Sequence, residues 1–242
     1  MILAGKIAMV TGGGRRIGRA LAVALGGEGM RVAVHHHASP AEAAQTVAMI
    51  ESAGGSGAVF QSDLTDSGAP AQLVSAVVSE LGGIDVVVNS AAVMQRTPVG
   101  EVTTDEWDSM FALNLRAPFF ISQAAAQSMP AGSAIINISD LAAYETWPAY
   151  IPHAISKAAV VKMTESLARA LAPDIRVNCI APGAVLLPEE WDADAGGRFA
   201  ATTPLARLGD PADVVEAMLY LLRADYVTGE TLVVDGGRRI RK

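Results

Sequence analysis

The stretch VTGGGRRIG (residues 10–18) decides the fold of this 242-residue chain. Apolar residues precede it from Ile7 to Val10, and a helix-like run follows it from Arg19 to Leu25. Glycines permit a tight turn and let the backbone approach a phosphate, while the next helix points its N-terminal amides at that phosphate. The order of strand, glycine-rich turn and helix therefore predicts a dinucleotide pyrophosphate site.

The glycine spacing of this turn, Gly12-x-Gly14-x-x-x-Gly18, differs from the common Gly-x-Gly-x-x-Gly arrangement. Since surface turns also collect glycine, the placement of the turn between a strand and a helix is the stronger argument. We expect the turn to contact the cofactor through six residues: Gly12, Gly14, Arg15, Arg16, Ile17 and Gly18.

The composition excludes several classes of protein. Hydrophobic residues make up 51% of the chain and charged residues 18%, which excludes a disordered protein. The formal net charge of −7 argues against nucleic-acid binding, because such a surface is basic. No stretch approaches ~18 uninterrupted apolar residues, so we expect no membrane span. The single cysteine, Cys179, and the lack of a signal-peptide pattern predict a cytoplasmic protein.

Strand-like and helix-like runs alternate along the chain, which predicts right-handed β-α-β units on a parallel sheet. We expect strands near residues 7–11, 31–35, 58–61, 85–89, 133–139, 175–181 and 231–234. We expect helices near residues 16–25, 40–53, 104–128, 153–171 and 212–222, a turn and helix start at 63–66 that leads into a helix to residue 81, and an irregular acidic stretch over 188–199. Because no linker or repeat interrupts this alternation, we predict one domain over residues 1–242.

Motifs along essentially the whole chain resemble those of the short-chain dehydrogenase/reductase family. They are Thr11-Gly12 with Gly18, Asp63-Leu64, Asn89-Ser90-Ala91, Asn114, Lys157, Pro182-Gly183 and Val234-Asp235-Gly236-Gly237. Arg16 replaces the middle glycine, and this turn is similar to that of the pteridine reductase branch, as are the histidine run 35–37 and Asp140. The resemblance implies a Rossmann-type, doubly wound, three-layer α/β fold with a seven-stranded parallel sheet of order 3-2-1-4-5-6-7.

The residues after the second predicted strand favour NADP(H). An NAD site places a carboxylate about 20 residues after the first glycine, but His37, Ala38 and Ser39 stand there instead. Arg15 and Arg16 offer positive donors to a 2′-phosphate. Three successive histidines predict no metal site, because neighbouring strand residues point to opposite faces. The resemblance implies further cofactor contacts from Asp63, Leu64, Asn89, Ser90, Ala91, Lys157, Pro182 and Gly183.

The catalytic positions implied by the resemblance are only partly retained. The family uses an asparagine, a serine, and a tyrosine four residues before a lysine, to transfer hydride between a nicotinamide and a carbonyl or alcohol. Asn114 and Lys157 match their positions, whereas Asp140 stands at the serine position and His153 at the tyrosine position. The i, i+4 spacing puts His153 and Lys157 on one helix face, and histidine is suited to proton transfer near neutral pH.

Three interpretations of this active site stay open. In the first, His153 pairs with Asp140 and donates the proton as an imidazolium. In the second, Asp140 or a chain of water molecules supplies the proton and His153 only shapes the pocket. In the third, the protein is a catalytically silent NADP(H)-binding sensor or partner subunit.

The substrate side of the site is predicted from four residues: Met94, Trp147, Tyr150 and Trp191. Trp191 falls in the stretch 188–199, where the family has its substrate lid, and Trp147 and Tyr150 flank the catalytic helix. Met94 takes the place of the aromatic residue that sandwiches the pterin in pteridine reductases. A pterin therefore stays one candidate beside other carbonyls or imines, including an acyl-thioester ketone.

Two predicted helices, 104–128 and 153–171, carry small apolar residues on more than one face. A helix that is apolar beyond one stripe must bury the rest of that surface against another partner. Proteins of the resembling family pair these helices across a two-fold axis. The sequence therefore predicts a homotetramer or a homodimer.

Overall fold

The computed structural model describes residues 1–187 and 194–240 of the chain. Seven strands form one sheet in the order β3-β2-β1-β4-β5-β6-β7, and each neighbouring pair is parallel, which confirms the predicted doubly wound α/β fold. The strands are β1 (Ile7–Val10), β2 (Arg31–His36), β3 (Ser56–Gln61), β4 (Val86–Asn89), β5 (Ser133–Ile138), β6 (Ile175–Pro182) and β7 (Thr231–Val234).

Helices connect these strands. They are α1 (Arg16–Gly27), α2 (Pro40–Ser52), α3 (Ala69–Leu81), α4 (Thr104–Phe111), α5 (Ala117–Ala126), α6 (Ile151–Leu171), α7 (Ala195–Ala201) and α8 (Pro211–Arg223). Helix α7 lies partly in the stretch that the sequence predicts to be irregular, so that prediction is wrong at its C-terminal end. Among the described residues, no helix is both long and apolar enough to cross a bilayer.

The central strands are buried on both faces, as a parallel sheet covered by helices requires. Val86 and Val88 of β4 pack into one core with α1, α2 and α8, whereas Val87 packs into a second core with α3, α5 and α6. This division follows from the strand geometry, because successive side chains point to opposite faces. The two cores hold the carboxyl ends of the strands in a fixed row.

The predicted helix over residues 104–128 is interrupted. A π-helical turn from Ala112 to Arg116 separates α4 from α5. A π turn inserts one extra residue into the helix, and such turns occur frequently at functional sites. Here the turn carries Asn114, which bonds the loop that follows β4, and no apolar periodicity signals it.

Candidate active site

A cleft of about 610 Å³ opens at the carboxyl ends of the central strands, beside β1, where the strand order reverses. Ligands of open α/β sheets bind at this topological position. The predicted residues that line it are Gly12, Gly14, Arg15, Arg16, Ile17, Gly18, His37, Ala38, Ser39, Asp63, Leu64, Ser90, Ala91, Met94, Asp140, His153, Lys157, Pro182 and Gly183. The predicted site residues Asn89 and Asn114 are not part of this lining. Both are buried and form hydrogen bonds with other residues of the protein.

The glycine-rich turn has the donor set and the space that a pyrophosphate needs. Gly12 adopts φ +64°, and a Cβ there would lie 3.0 Å from the Cα of Ala91. A Cβ on Gly18 would overlap the carbonyl oxygen of Gly12. Arg15 precedes α1 without a side-chain capping bond, so the first amides of α1 keep their hydrogen-bonding capacity at the cleft. An anion at this helix N-terminus matches that capacity.

His35 holds the glycine-rich turn in place through hydrogen bonds. In the sequence it stands out only as the first residue of the histidine run 35–37. The amide of Gly12 donates to Nδ1 of His35 over 3.2 Å, and Nε2 of His35 lies 3.0 Å from the carbonyl oxygen of Ser62. The ring therefore accepts at one nitrogen and donates at the other, which is the neutral form. Burial lowers the pKa of His35 to about 4. Its position at the carboxyl end of β2 was the only signal available in the sequence.

The other two histidines of the run have separate partners. Nδ1 of His36 accepts from the amide of Ser39 over 3.3 Å. Nδ1 of His37 lies 3.6 Å from a carboxylate oxygen of Asp63. Asp63 also accepts from the hydroxyl and amide of Thr65, and the hydroxyl bond is the main cause of a lowered pKa at Asp63. Within residues 1–187 and 194–240, no group of metal-binding side chains is arranged to hold a metal ion.

Arg16 lines the cleft, and its guanidinium also binds the segment that follows β6. Its Nη2 donates to the carbonyl oxygens of Leu186 and Leu187 over 2.6 and 3.3 Å, and its backbone has φ +52°. Such a conformation is uncommon outside glycine and occurs at functional sites. Arg16 therefore joins the cofactor turn to the segment after β6. Arg15 and Arg16 both line the cleft and both stay predicted donors to a 2′-phosphate.

Asn114 holds the loop after β4 in place. Its Oδ1 accepts from the amide of Val93 and its Nδ2 donates to the carbonyl of Val93, both over 2.9 Å. Nδ2 also lies 3.1 Å from the hydroxyl of Ser156 on α6. The Asn114 side chain thus binds both the backbone amide and the backbone carbonyl of Val93, and it sets the position of the Val93 carbonyl oxygen.

That carbonyl oxygen is one of two partners of His153. Nδ1 of His153 lies 3.1 Å from the carbonyl oxygen of Val93, and Nε2 lies 2.6 Å from Oδ2 of Asp140. The His153 side chain is only 2% exposed, whereas that of Asp140 is 24% exposed. Oδ1 of Asp140 accepts from the amide of Ala142 over 2.8 Å. The pair that the sequence analysis proposed is therefore formed in the structure, with the carboxylate on the cleft side.

Lys157 lies one turn after His153 on α6 and is buried. Its Nζ donates to the carbonyl of Ile138 over 3.0 Å, and burial lowers the pKa of the Lys157 ammonium group. Burial alone would raise the pKa of Asp140, but the hydrogen bond from His153 and the charge of Lys157 outweigh it, so that this pKa lies below its ordinary value. Asp140 is therefore a carboxylate at neutral pH.

The predicted substrate residues are distributed unevenly. Met94 lines the cleft and is 43% exposed. Trp147 donates to Glu145 and packs edge-to-face on Tyr150 with ring centroids 6.2 Å apart, and among the described residues neither ring belongs to the cleft lining. Trp191 lies outside the described residues.

The chain is similar to known proteins in both sequence and structure. Residues 13–239 match a family profile described as "Enoyl-(Acyl carrier protein) reductase". The chain is 36% identical to 3beta-hydroxysteroid dehydrogenase 1 of Eggerthella lenta over 247 residues, which cover 97% of this chain and 94% of the relative.

Two solved structures resemble it over nearly their whole length. A blue fluorescent protein from a metagenomic library, in complex with NADPH, has a TM-score of 0.92 and 35% identity, covering 98% of this chain and 99% of that protein. FolM alternative dihydrofolate reductase 1 from Brucella canis, complexed with NADP, has a TM-score of 0.94 and 31% identity, covering 100% of this chain and 96% of that protein.

Proposed function

The chain belongs to the short-chain dehydrogenase/reductase family, and from this premise we propose that it is an NADP(H)-dependent oxidoreductase that reduces a carbonyl or imine group of a small molecule. One observation carries the proposal. The glycine-rich turn, Lys157 and the pair of His153 and Asp140 all line the same cleft. A nucleotide bound by the turn and a proton donor beside the lysine are thereby brought within reach of one substrate.

The residues of the cleft fit NADP(H). The amides that begin α1 suit the pyrophosphate, and Arg15, His37 and Ser39 lie at the cleft where a 2′-phosphate needs donors. Lys157 is the cation available to the nicotinamide ribose. NADP(H) agrees with the cofactor named for both solved structures described above. When bound, the reduced nicotinamide supplies a hydride, and the protein must then supply one proton to the substrate.

The substrate class is proposed from the apolar side of the cleft. Val93, Met94 and Leu186 line it, and each remains more than a third exposed. These side chains suit a substrate with a flat or apolar body next to its reactive carbonyl or imine. A dihydropterin belongs to this class, and a relative described as an alternative dihydrofolate reductase supports including it. Met94 in place of an aromatic residue favours other carbonyl compounds.

Spectrophotometry with NADPH tests the proposed reaction. We expect the purified protein to bind NADPH more tightly than NADH and to oxidise it with at least one member of a panel. That panel should contain aryl ketones, ketosteroids, 3-oxoacyl thioesters and dihydropterins. Binding of NADPH without oxidation by any of them would instead support the catalytically silent sensor or subunit.

We also propose that the face formed by α4, α5 and α6 binds a second copy of this chain, giving a homodimer or homotetramer. Phe119 and Leu167 line an apolar groove there, and Asp108 and Lys162 line the same groove. Opposite charges on one patch can pair with each other across a two-fold axis. Light scattering should show at least a dimer, and Phe119→Arg should shift the protein toward the monomer.

We also propose a cytoplasmic location. The single cysteine, which is buried and unpaired, supports this proposal, because disulfides are rare in the reducing cytosol.

A further inference from the structure

The hydrogen-bond partners of His153 fix how many protons its ring carries. The carbonyl oxygen of Val93 can only accept, so Nδ1, 3.1 Å away, must carry a proton. At the other nitrogen, Nε2 and Oδ2 of Asp140 are 2.6 Å apart. Without a proton between them, a lone pair on nitrogen would face an anionic oxygen at hydrogen-bonding distance. One proton therefore lies in this contact, on one atom or the other.

The same count shows that the ring has no N–H left for a substrate. Both nitrogens are directed at protein oxygens, and the side chain is 2% exposed. Asp140 has the opposite placement, because its side chain keeps 24% of its surface exposed and lines the cleft. Its two oxygens bind the amide of Ala142 and the imidazole, and each carboxylate oxygen can form a further hydrogen bond.

Building on the proposed function, we propose that Asp140 is the catalytic residue that hands the proton to the substrate, and that His153 is a buried positioning residue that stores this proton and returns it to Asp140. In the step, the bond between Nε2 and hydrogen breaks as Oδ2 gains the proton. The new O–H then rotates toward the cleft and gives its proton to the substrate oxygen or nitrogen. A bound reduced nicotinamide would supply the electron pair as hydride, and His153 and Asp140 would then regain one proton from solvent through the cleft.

The two acceptors around the ring hold the proton in the pair, whereas the nearby charge of Lys157 opposes an added proton and so favours its release to a substrate. Lys157, on the same helix as His153, is the cation that acts on Asp140. From β6, Cys179 is the other titratable group near Lys157, and burial raises the pKa of its thiol to about 11, so it stays neutral. The imidazolium and the carboxylate together form a pair without net charge beside the Lys157 ammonium group. Such a pair is an acid ready for reduction, whereas oxidation requires it to lose the proton first.

The first experiment reads the proton count directly in the wild-type protein. Nitrogen-15 NMR of the four ring-labelled histidines should show both ring nitrogens of His153 protonated at pH 7, while His35 should show one protonated nitrogen. In Asp140→Asn, the His153 ring should become singly protonated. A singly protonated His153 in the wild-type protein would overturn the proposal, and this arm needs neither a substrate nor a folded variant.

The second experiment compares pH–rate profiles for Asp140→Asn and His153→Gln between pH 5 and 8. We expect His153→Gln to regain rate about tenfold per unit as the pH falls, because Asp140 still accepts a proton near its ordinary pKa. Asp140→Asn should stay about 10²–10⁴-fold below wild type throughout. An acid limb in Asp140→Asn, or none in His153→Gln, overturns the assignment.

Controls separate this inference from the proposed function. Both variants should bind NADPH with the wild-type Kd, and Asp174→Asn, an exposed carboxylate preceding β6 at the opposite edge of the sheet, should keep the wild-type profile. If the wild-type protein oxidises NADPH with no member of the panel, the proposed reaction fails. The NMR result then still decides whether His153 and Asp140 share one proton.

Discussion

His35 and His153 are both 2% exposed, yet the protein uses them in opposite protonation states. His35 faces one donor, the amide of Gly12, and one acceptor, the carbonyl of Ser62. His153 faces two acceptors, the carbonyl of Val93 and the carboxylate of Asp140. The first ring is therefore neutral and the second pair holds an extra proton. Burial by itself does not decide the charge of a histidine, because the chemistry of its partners does.

The same contrast separates the two halves of the cleft. The cofactor half depends on backbone amides and on glycines whose replacement would cause steric overlap, as at Gly18. The catalytic half depends on side chains. In the family pattern a tyrosine and a serine occupy the positions of His153 and Asp140, whereas here these positions hold an imidazole and a carboxylate that are bonded to each other. A side-chain site can therefore be built from different residue types, whereas a glycine in a tight backbone turn has no equivalent substitution.

The largest expected effect comes from a double-mutant cycle on the catalytic half. Asp140→Asn and His153→Gln should each lower kcat at pH 7 by about 10²–10⁴-fold, the usual contribution of general acid catalysis. The double variant should be no slower than Asp140→Asn alone within about threefold, because residues that act as one unit are not additive. Steady-state kinetics on all four proteins measures this. Multiplicative losses would show that the two residues act independently.

The next effect concerns stability and involves His35. Its folded pKa of about 4 lies below the ordinary histidine value of 6.5, so the unfolded chain binds more protons between these two pH values. The free energy of unfolding should therefore fall by about 3 kcal/mol as the pH drops from 6.5 to 4. Denaturant unfolding at several pH values measures this loss.

The matched variant is His35→Gln, since an amide can also accept from Gly12 and donate to Ser62. It should remove most of that pH dependence while keeping NADPH binding. An unchanged pH dependence in His35→Gln would assign the acid loss to other groups and weaken the contrast between the two histidines.

Asn114→Ala should have a smaller effect, which reaches His153 through Val93. Loss of the side chain removes the hydrogen bonds that hold both backbone groups of Val93, and a typical hydrogen bond contributes about 0.5–1.5 kcal/mol. We expect kcat to fall more than tenfold while the Kd for NADPH stays unchanged. Gln95→Ala, which removes an exposed amide from the same loop, serves as the control. A change confined to the Kd would place Asn114 in the cofactor half instead.

The smallest effect is expected at the edge of the cofactor half. Arg15→Ala should weaken NADPH binding about tenfold and leave NADH binding unchanged, since one charge-assisted hydrogen bond to the 2′-phosphate is worth roughly 1.5–3 kcal/mol before solvent screening. Fluorescence titration with both nucleotides measures the ratio. An equal loss for both would place Arg15 at the pyrophosphate.

The sequence predicted the fold because the hydrophobic pattern and the glycine-rich turn act locally. It missed the π turn around Asn114, since one extra residue in a helix leaves no clear apolar signature. It offered Arg15 and Arg16 as donors to a 2′-phosphate, but it could not show that the Arg16 guanidinium binds two carbonyls about 170 residues further along the chain. Trp147 and Tyr150 were placed by proximity to the catalytic helix, but their rings contact each other.

The sequence by itself determined the parallel sheet, the nucleotide cradle and the common helix face of His153 and Lys157, because strand alternation, turn chemistry and helical spacing are properties of short segments. Only the tertiary structure decided which atoms meet the ring nitrogens. The partner of His153 at Nδ1 is 60 residues away, and the partner of His35 at Nδ1 is 23 residues away. Whether a buried ring meets a donor or an acceptor depends on the paths of distant loops, and that choice sets its charge.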